Sequence, residues 1–157
     1  MMGKTLVAYY SRTGHTRQIA EAIAAQCSAQ VEQIRDVRNR TGWLGYWRSA
    51  YEALRKRPAV IKDVANNPAT YDLVVLGTPV WAGNMSSPMR TYIAAHGAHF
   101  TRIAVFCTEG GASGENVVSH IAELCGIAPI ATLIVTGHDF ASGDFRHKVT
   151  AFVNALG

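Results

Sequence analysis

Short apolar runs alternate along this chain with segments whose apolar residues recur at helical spacing, and this alternation limits the possible folds. The apolar strand-like runs are residues 5–10, 73–76, 103–107 and 131–135, and residues 30–34 form a short strand of alternating pattern. Runs that are apolar throughout are typical of parallel strands covered on both faces. Strands interleaved with helices predict an α/β domain with a doubly wound sheet. We therefore predict five parallel strands with helices on both faces.

The composition agrees with one well-packed domain. With 48% hydrophobic and 17% charged residues, we expect residues 1–157 to fold as a single domain without disulfide or metal support. The apolar runs fall short of the roughly 20 residues of a membrane helix, and a strand starts too close to Met1 for a signal peptide. Three cysteines without a CxxC pair fit a reducing, cytoplasmic compartment.

Individual residues predict several helix boundaries. Ser87 followed by Pro88 predicts the start of the helix after the third strand. Gly126 is expected to end the helix after the fourth strand, and Ser142 to cap the last helix. An aromatic-rich stripe over residues 43–54 predicts a further helix. We assign its basic residues to a solvated face rather than to a partner surface.

The loop after the first strand has the composition of an anion site. Ligands of doubly wound sheets bind beyond the carboxyl ends of the strands. The loop residues there are Ser11, Arg12, Thr13, Gly14, His15 and Thr16. Three hydroxyls around a glycine exceed what a helix cap needs, and the free N–H groups of a helix start favour a phosphate. We therefore predict phosphate binding at residues 11–16.

The loops after the third and fourth strands complete the predicted site. The second loop holds a tryptophan among small, turn-forming residues: Thr78, Pro79, Val80, Trp81, Ala82, Gly83 and Asn84. An aromatic side chain in such a loop can stack on a planar ring. The third loop is rich in glycine and would offer backbone N–H and C=O groups to the edge of a heterocycle. Its candidate residues are Thr108, Glu109, Gly110, Gly111, Ser113 and Gly114.

The segments YYSRTGHTRQIAEAI, LVVLGTPVWAGN and VFCTEGGASG together resemble the three flavin-binding loops of the flavodoxin family. The family's phosphate loop, T/S-x-T-G-x-T, is matched by Ser11, Thr13, Gly14 and Thr16. The resemblance implies a flavodoxin-like three-layer sandwich with strand order 2-1-3-4-5. It also implies non-covalent FMN, with its phosphate on residues 11–16 and its isoalloxazine between the second and third loops.

The chain departs from the family pattern in three ways. Its net charge is +4, whereas many electron-carrying flavodoxins are acidic. The third loop lacks an aromatic residue for the outer flavin face, so that face is either open to a small substrate or covered by Phe140, Trp43 or Tyr46. Basic side chains, Arg12 among them, surround the phosphate loop, where family members often use neutral groups.

The resemblance leaves two functions open. One is a flavodoxin-type electron-transfer protein that docks on a redox partner protein. The other is a small FMN-dependent oxidoreductase, either monomeric or a homodimer, that takes hydride from NAD(P)H and reduces a quinone-like acceptor. Glu109 is the nearest candidate for an acid or base. The histidines show no ligand spacing, so we expect no metal, and we expect neither a nucleic-acid nor a membrane partner.

Overall fold

The computed structural model describes residues 3–37, 47 and 59–157. The strands are β1 (Thr5–Tyr9), β2 (Gln30–Gln33), β3 (Leu73–Trp81), β4 (Asn84–Met85), β5 (Ile103–Glu109) and β6 (Thr132–Thr136). The α-helices are α1 (His15–Cys27), α2 (Ser87–His96), α3 (Gly114–Cys125), α4 (Gly137–Ser142) and α5 (Phe145–Ala155). The helix predicted over residues 43–54 lies outside the described residues, apart from Trp47, which is exposed.

Five of the strands form a parallel sheet in the order β2-β1-β3-β5-β6. The predicted doubly wound sheet and its order 2-1-3-4-5 are confirmed, because the remaining strand, β4, stands outside the parallel series. β4 pairs antiparallel with the end of β3 and forms a hairpin in place of the predicted second loop. β1 lies between β2 and β3 and is buried along its whole length.

Two apolar layers cover the faces of the sheet. On one face, α2 and α3 contribute Met89, Tyr92, Ile93, Val117 and Ile121 to a core with alternate strand residues. On the other face, α1 and α5 bring their own stripe: Ile19, Ala20, Ile23, Val149, Phe152 and Val153. The predicted covering of both faces therefore follows from helices whose apolar residues recur every three to four positions.

A close approach between two strands fixes Gly77 in the middle of the sheet. Gly77 of β3 lies opposite Phe106 of β5 in the parallel register. A β-carbon on Gly77 would overlap the ring of Phe106, so no larger residue fits while that ring keeps its position. The glycine lets a large aromatic ring lie across its neighbouring strand.

Two of the predicted helix caps are wrong by a small shift. Ser86, not Ser87, caps α2, since its hydroxyl accepts a hydrogen bond from the Met89 N–H at 3.4 Å. The shift arises because the Ser86 N–H is already bound to Thr78, which holds Ser86 in an extended conformation just before the helix. Gly126 ends α3 in a left-handed conformation, as predicted.

The third cap concerns the chain between β6 and α5. Ser142 does not cap α5; it ends α4, a short helix that the sequence pattern does not predict. Gly143 has φ 81° and turns the chain, so Asp144 becomes the residue before α5. The described helices have at most 13 residues, and none of them is long and apolar enough to cross a membrane.

Candidate cofactor-binding site

A cavity of about 460 Å³ lies at the carboxyl edge of the sheet. Its volume is within the range of about 300–1,000 Å³ that small-molecule sites occupy. The parallel direction of β1, β3, β5 and β6 brings their following segments to this one edge. The lining residues are Arg12, Thr13, His15, Thr16, Pro79, Val80, Trp81, Ala82, Thr108, Glu109, Gly110, Gly137 and Phe140.

The loop between β1 and α1 presents an uncapped helix start. Gly14 precedes the first helical residue, and no described side chain caps α1. Ser11 instead accepts a hydrogen bond from the Gly14 N–H at 3.0 Å, which tightens the turn ahead of the helix. The first turn of α1 also contains no acidic residue. Its N–H groups and the positive end of the helix dipole therefore remain available to an anion.

The second loop is a tight hairpin rather than an open loop. Ala82 and Gly83 both have positive φ values, 49° and 78°, as a type I′ turn requires. Trp81, just before the turn, is only 7% exposed and meets the Tyr10 ring edge-on at a centroid distance of 5.4 Å. Trp81 is therefore a fixed wall of the cavity.

Buried hydrogen bonds beneath the hairpin hold it in place. The Thr78 hydroxyl accepts from the Ser86 N–H at 3.0 Å and lies 3.0 Å from the Ser86 hydroxyl. It also donates to the Pro79 carbonyl at 2.9 Å. Thr78 is fully buried, so this predicted site residue acts through the shape of the hairpin rather than by lining the cavity.

The third loop is tied to itself and to the phosphate loop. The Glu109 carboxylate accepts a hydrogen bond from the Gly114 N–H at 2.7 Å, where α3 begins. The Thr108 hydroxyl lies 2.8 Å from that of Thr16 in a buried hydrogen bond that joins the third loop to the first. Glu109, the nearest candidate for an acid or base, thus has a structural partner in the backbone of its own loop.

The segment after β6 forms a fourth side of the cavity that the predicted site lacks. Gly137 and Phe140 of α4 line it. Phe140 contacts the His15 ring at a centroid distance of 4.8 Å and the Phe145 ring at 5.3 Å. Of the three aromatic residues considered for the uncovered flavin face, Phe140 therefore reaches the cavity. The other two, Trp43 and Tyr46, lie outside the described residues.

Most of the predicted site residues line the cavity, and the others lie in the turns that shape it. The predicted residues outside the lining are Ser11, Gly14, Thr78, Gly83, Asn84, Gly111, Ser113 and Gly114. Asn84, for example, donates from its amide to the Ala82 carbonyl at 3.2 Å and closes the hairpin turn. A signal for the missed segment is present in the sequence, since Thr136 and Asp139 have the spacing of a capping box.

Two ionisable groups near the site have strongly shifted pKa values. Burial, with a smaller contribution from the charge of Glu109, raises the pKa of the Cys107 thiol to about 12. Cys107 is therefore a neutral thiol and a poor nucleophile at physiological pH. Hydrogen bonds from Lys148 and from the Thr136 N–H lower the pKa of Asp139 to about 2. The described residues contain no cluster of three side chains suited to a metal ion.

The family model described as flavodoxin matches residues 4–133 of this chain. The chain belongs to the flavodoxin family. This membership confirms the resemblance drawn from the three loops and agrees with the doubly wound sheet. FMN is the cofactor that the resemblance implies.

Two curated relatives of this flavodoxin-family chain carry the name NAD(P)H dehydrogenase (quinone). The relative from Cupriavidus metallidurans is 31% identical over 122 residues, which cover 76% of this chain and 59% of the relative. The relative from Rhodopseudomonas palustris is 31% identical over 153 residues, or 91% of this chain and 74% of the relative. This chain thus spans about three fifths of the length of the first relative and three quarters of that of the second.

Solved structures of similar proteins share the fold. A flavoprotein from Lactobacillus acidophilus, solved in complex with FMN, superposes with a TM-score of 0.72 at 25% identity, covering 93% of this chain and 99% of that one. A flavodoxin described as WrbA-like, from Agrobacterium tumefaciens, gives a TM-score of 0.58 at 19% identity, with 98% and 97% of the two chains covered. The second comparison supports the fold alone.

Proposed function

We propose that this chain binds FMN in the cavity and acts as a flavodoxin-type electron-transfer protein. The observation that carries the proposal is that an uncapped helix start and an aromatic-walled cavity meet at one edge of the sheet. The first suits a phosphate and the second suits a planar ring, and FMN contains both. The FMN complex of the similar Lactobacillus acidophilus flavoprotein supports the same ligand.

Each of the three loops would hold a different part of FMN. Residues 11–16 would bind the phosphate through hydroxyls, the N–H groups of α1 and the charge of Arg12. Residues 78–84 would provide Trp81 for ring stacking. Residues 108–111, 113 and 114 would offer backbone groups to the pyrimidine edge of the ring. Bound FMN would supply the redox chemistry, since it can accept hydride or single electrons and pass electrons on.

A binding titration tests the cofactor. Flavin fluorescence is followed while FMN is titrated with the protein, and Arg12→Ala is expected to weaken binding several-fold because Arg12 lines the cavity. Arg17→Ala is the matched control, since Arg17 lies outside the lining and pairs with Glu21 at 2.7 Å. Equal loss in both variants would assign the effect to overall charge. A wild-type protein that leaves FMN fluorescence unchanged refutes the proposal.

A second function is favoured by the names of the curated relatives, NAD(P)H dehydrogenase (quinone). In this alternative, the protein is a reductase in which bound FMN would supply the chemistry that carries electrons from NAD(P)H to a quinone. The two functions are separated by mixing the FMN-loaded protein with NADH or NADPH without oxygen. Bleaching of the visible flavin band within seconds, reversed by a quinone, supports the reductase. Flavin that stays oxidised with NAD(P)H but is reduced by a partner reductase supports the electron carrier.

The charge of the chain leads to an expected reduction potential. The acidic surface of many electron carriers repels an anionic reduced flavin. This chain, with a net charge of +4, lacks that overall repulsion. We therefore expect the bound flavin to have a less negative potential than an acidic flavodoxin. A potentiometric titration at low ionic strength measures it, and a very low potential for full reduction would contradict this expectation.

A further inference from the structure

The tryptophan and the phenylalanine that line the cavity, Trp81 and Phe140, belong to different faces of the sheet. Trp81 is part of the core that α2 and α3 form with the sheet. Phe140 packs against the core on the opposite face, which α1 and α5 cover. The cavity at the sheet edge therefore has one aromatic wall from each layer of the sandwich.

We infer that Phe140 is the second ring-stacking residue of this site. Together with Trp81, it would bracket a planar heterocycle, the isoalloxazine of the FMN proposed above, and the inference rests on that proposed function. Aromatic rings favour stacked or edge-on contacts with other planar rings. The glycine-rich third loop then needs no aromatic residue of its own, and Gly110 can offer its backbone to the ring edge.

Two neighbouring aromatic rings contact Phe140. The Phe140 ring contacts His15 at a centroid distance of 4.8 Å and Phe145 at 5.3 Å. Phe145 is itself covered by the guanidinium of Arg146, which lies over its ring at 5.6 Å from the ring centre. Phe140 itself is half-buried, so part of its surface remains available to a ligand in the cavity.

The helix that carries Phe140 is anchored at its start. Thr136 and Asp139 form a capping box, with the Thr136 N–H donating to the Asp139 carboxylate at 2.8 Å. Lys148 of α5 donates to that carboxylate at 2.7 Å and to the Ile134 carbonyl of β6 at 3.1 Å. A six-residue helix has little stability alone, so these bonds hold the ring at the cavity.

Substitutions at Phe140 test the assignment with FMN as the probe. Phe140→Leu keeps an apolar side chain but removes the ring, and we expect it to weaken FMN binding about threefold to tenfold. At saturating protein, the visible circular dichroism and the fluorescence quenching of bound FMN should also change. Phe140→Tyr, which keeps the ring, should resemble the wild type in all three measurements. Phe140→Met, a second non-aromatic replacement, should match Phe140→Leu.

Phe100→Leu is the matched control, because it is the same substitution at a ring remote from the lining. Phe100 is 7% exposed and contacts Tyr92 on the α2 and α3 face. It should lower stability but leave FMN affinity and the spectra unchanged. If Phe140→Leu binds FMN with wild-type affinity and spectra, or if Phe100→Leu changes them equally, the Phe140 assignment is wrong. A wild-type protein that does not bind FMN would instead refute the proposed function.

Discussion

The two aromatic walls of the cavity are held by different kinds of interaction. Trp81 is fixed by a hairpin whose Thr78 and Ser86 hydrogen bonds are buried and neutral. Phe140 is carried by a short helix tied to an ion pair in which the Lys148 side chain is 43% exposed. Buried neutral bonds are insensitive to salt and acid, whereas a solvent-exposed ion pair responds to both. The Trp81 wall should therefore be rigid across conditions, and the Phe140 wall should be the adjustable one.

The largest expected effect is at the Trp81 wall. Thr78→Val keeps the side-chain shape but leaves the buried Ser86 N–H without its acceptor. We expect a loss of about 2–3 kcal/mol in the free energy of unfolding, because a buried unsatisfied donor carries a penalty of that order. Urea denaturation measures the loss. Thr78→Ser keeps the hydroxyl and should lose clearly less; equal losses would show that the methyl group, not the hydrogen bond, matters.

The hairpin turn offers a smaller effect of opposite sign. Ala82 has φ 49°, a left-handed conformation that strains a residue with a β-carbon. Ala82→Gly is expected to stabilise the protein by up to about 1 kcal/mol, since glycine adopts this conformation without steric strain. Gly83→Ala, with φ 78° at the next position, should destabilise by a similar amount. Thermal unfolding of the two variants compares them, and a destabilised Ala82→Gly would contradict the strain.

The acid dependence of stability should separate the two walls. The pKa of Asp139 is lowered from 3.8 to about 2 in the folded chain, mainly by its bond to Lys148. This group therefore contributes its full stabilisation above about pH 5 and loses it as the pH falls from about 4 to 2. We expect Asp139→Asn to lower stability at pH 7 and to flatten the loss of stability between pH 4 and pH 2.

The measurement is the urea midpoint of unfolding of each protein, taken at three pH values between pH 4 and pH 2 and at neutral pH. Thr78→Val is the control, since it should keep the acid dependence of the wild type while being less stable throughout. An Asp139→Asn variant with the wild-type acid profile would contradict the role of the ion pair.

The smallest effect is expected for the partner of that carboxylate. Lys148→Met removes the ion pair but keeps the apolar part of the side chain, and we expect a loss of about 0.5–1 kcal/mol at low salt. The difference in stability from the wild type should shrink in about 1 M salt, where the Debye screening length is only about 3 Å. A loss that is the same at low and high salt would show that Lys148 acts through its bond to the Ile134 carbonyl.

The sequence predicts those parts of this fold that depend on local apolar patterning. The parallel strands and their order follow from runs such as residues 73–76 and from the flavodoxin resemblance. The extension of β3 to Trp81 is missed, because Thr78 and Pro79 have the composition of a loop and pair with β5, which is distant in sequence. The positive φ of Ala82 has no local signal either, since alanine does not indicate a turn.

The site is predicted where its residues lie within contiguous motifs, whereas Phe140 is named from the sequence only as one of three aromatic candidates, because a tertiary contact brings its segment to the cavity. The phosphate loop and the glycine-rich loop have compositions that indicate backbone binding. Phe140 contributes through its packing on His15, a residue more than a hundred positions away in the chain. Its helix is signalled only by the spacing of Thr136 and Asp139, which fixes a helix start but not the side of the sheet on which it lies.

The hydroxyl pair of Thr16 and Thr108 would let the third loop respond to an anion at the phosphate loop without movement of heavy atoms. In the protein alone, either hydroxyl can donate across their 2.8 Å contact. An anion that accepts a hydrogen bond from the Thr16 hydroxyl would fix the direction of the pair, because Thr108 would then have to donate to Thr16. The orientation of a single hydrogen atom at Thr108, in the third loop, would thereby report whether the phosphate loop holds an anion.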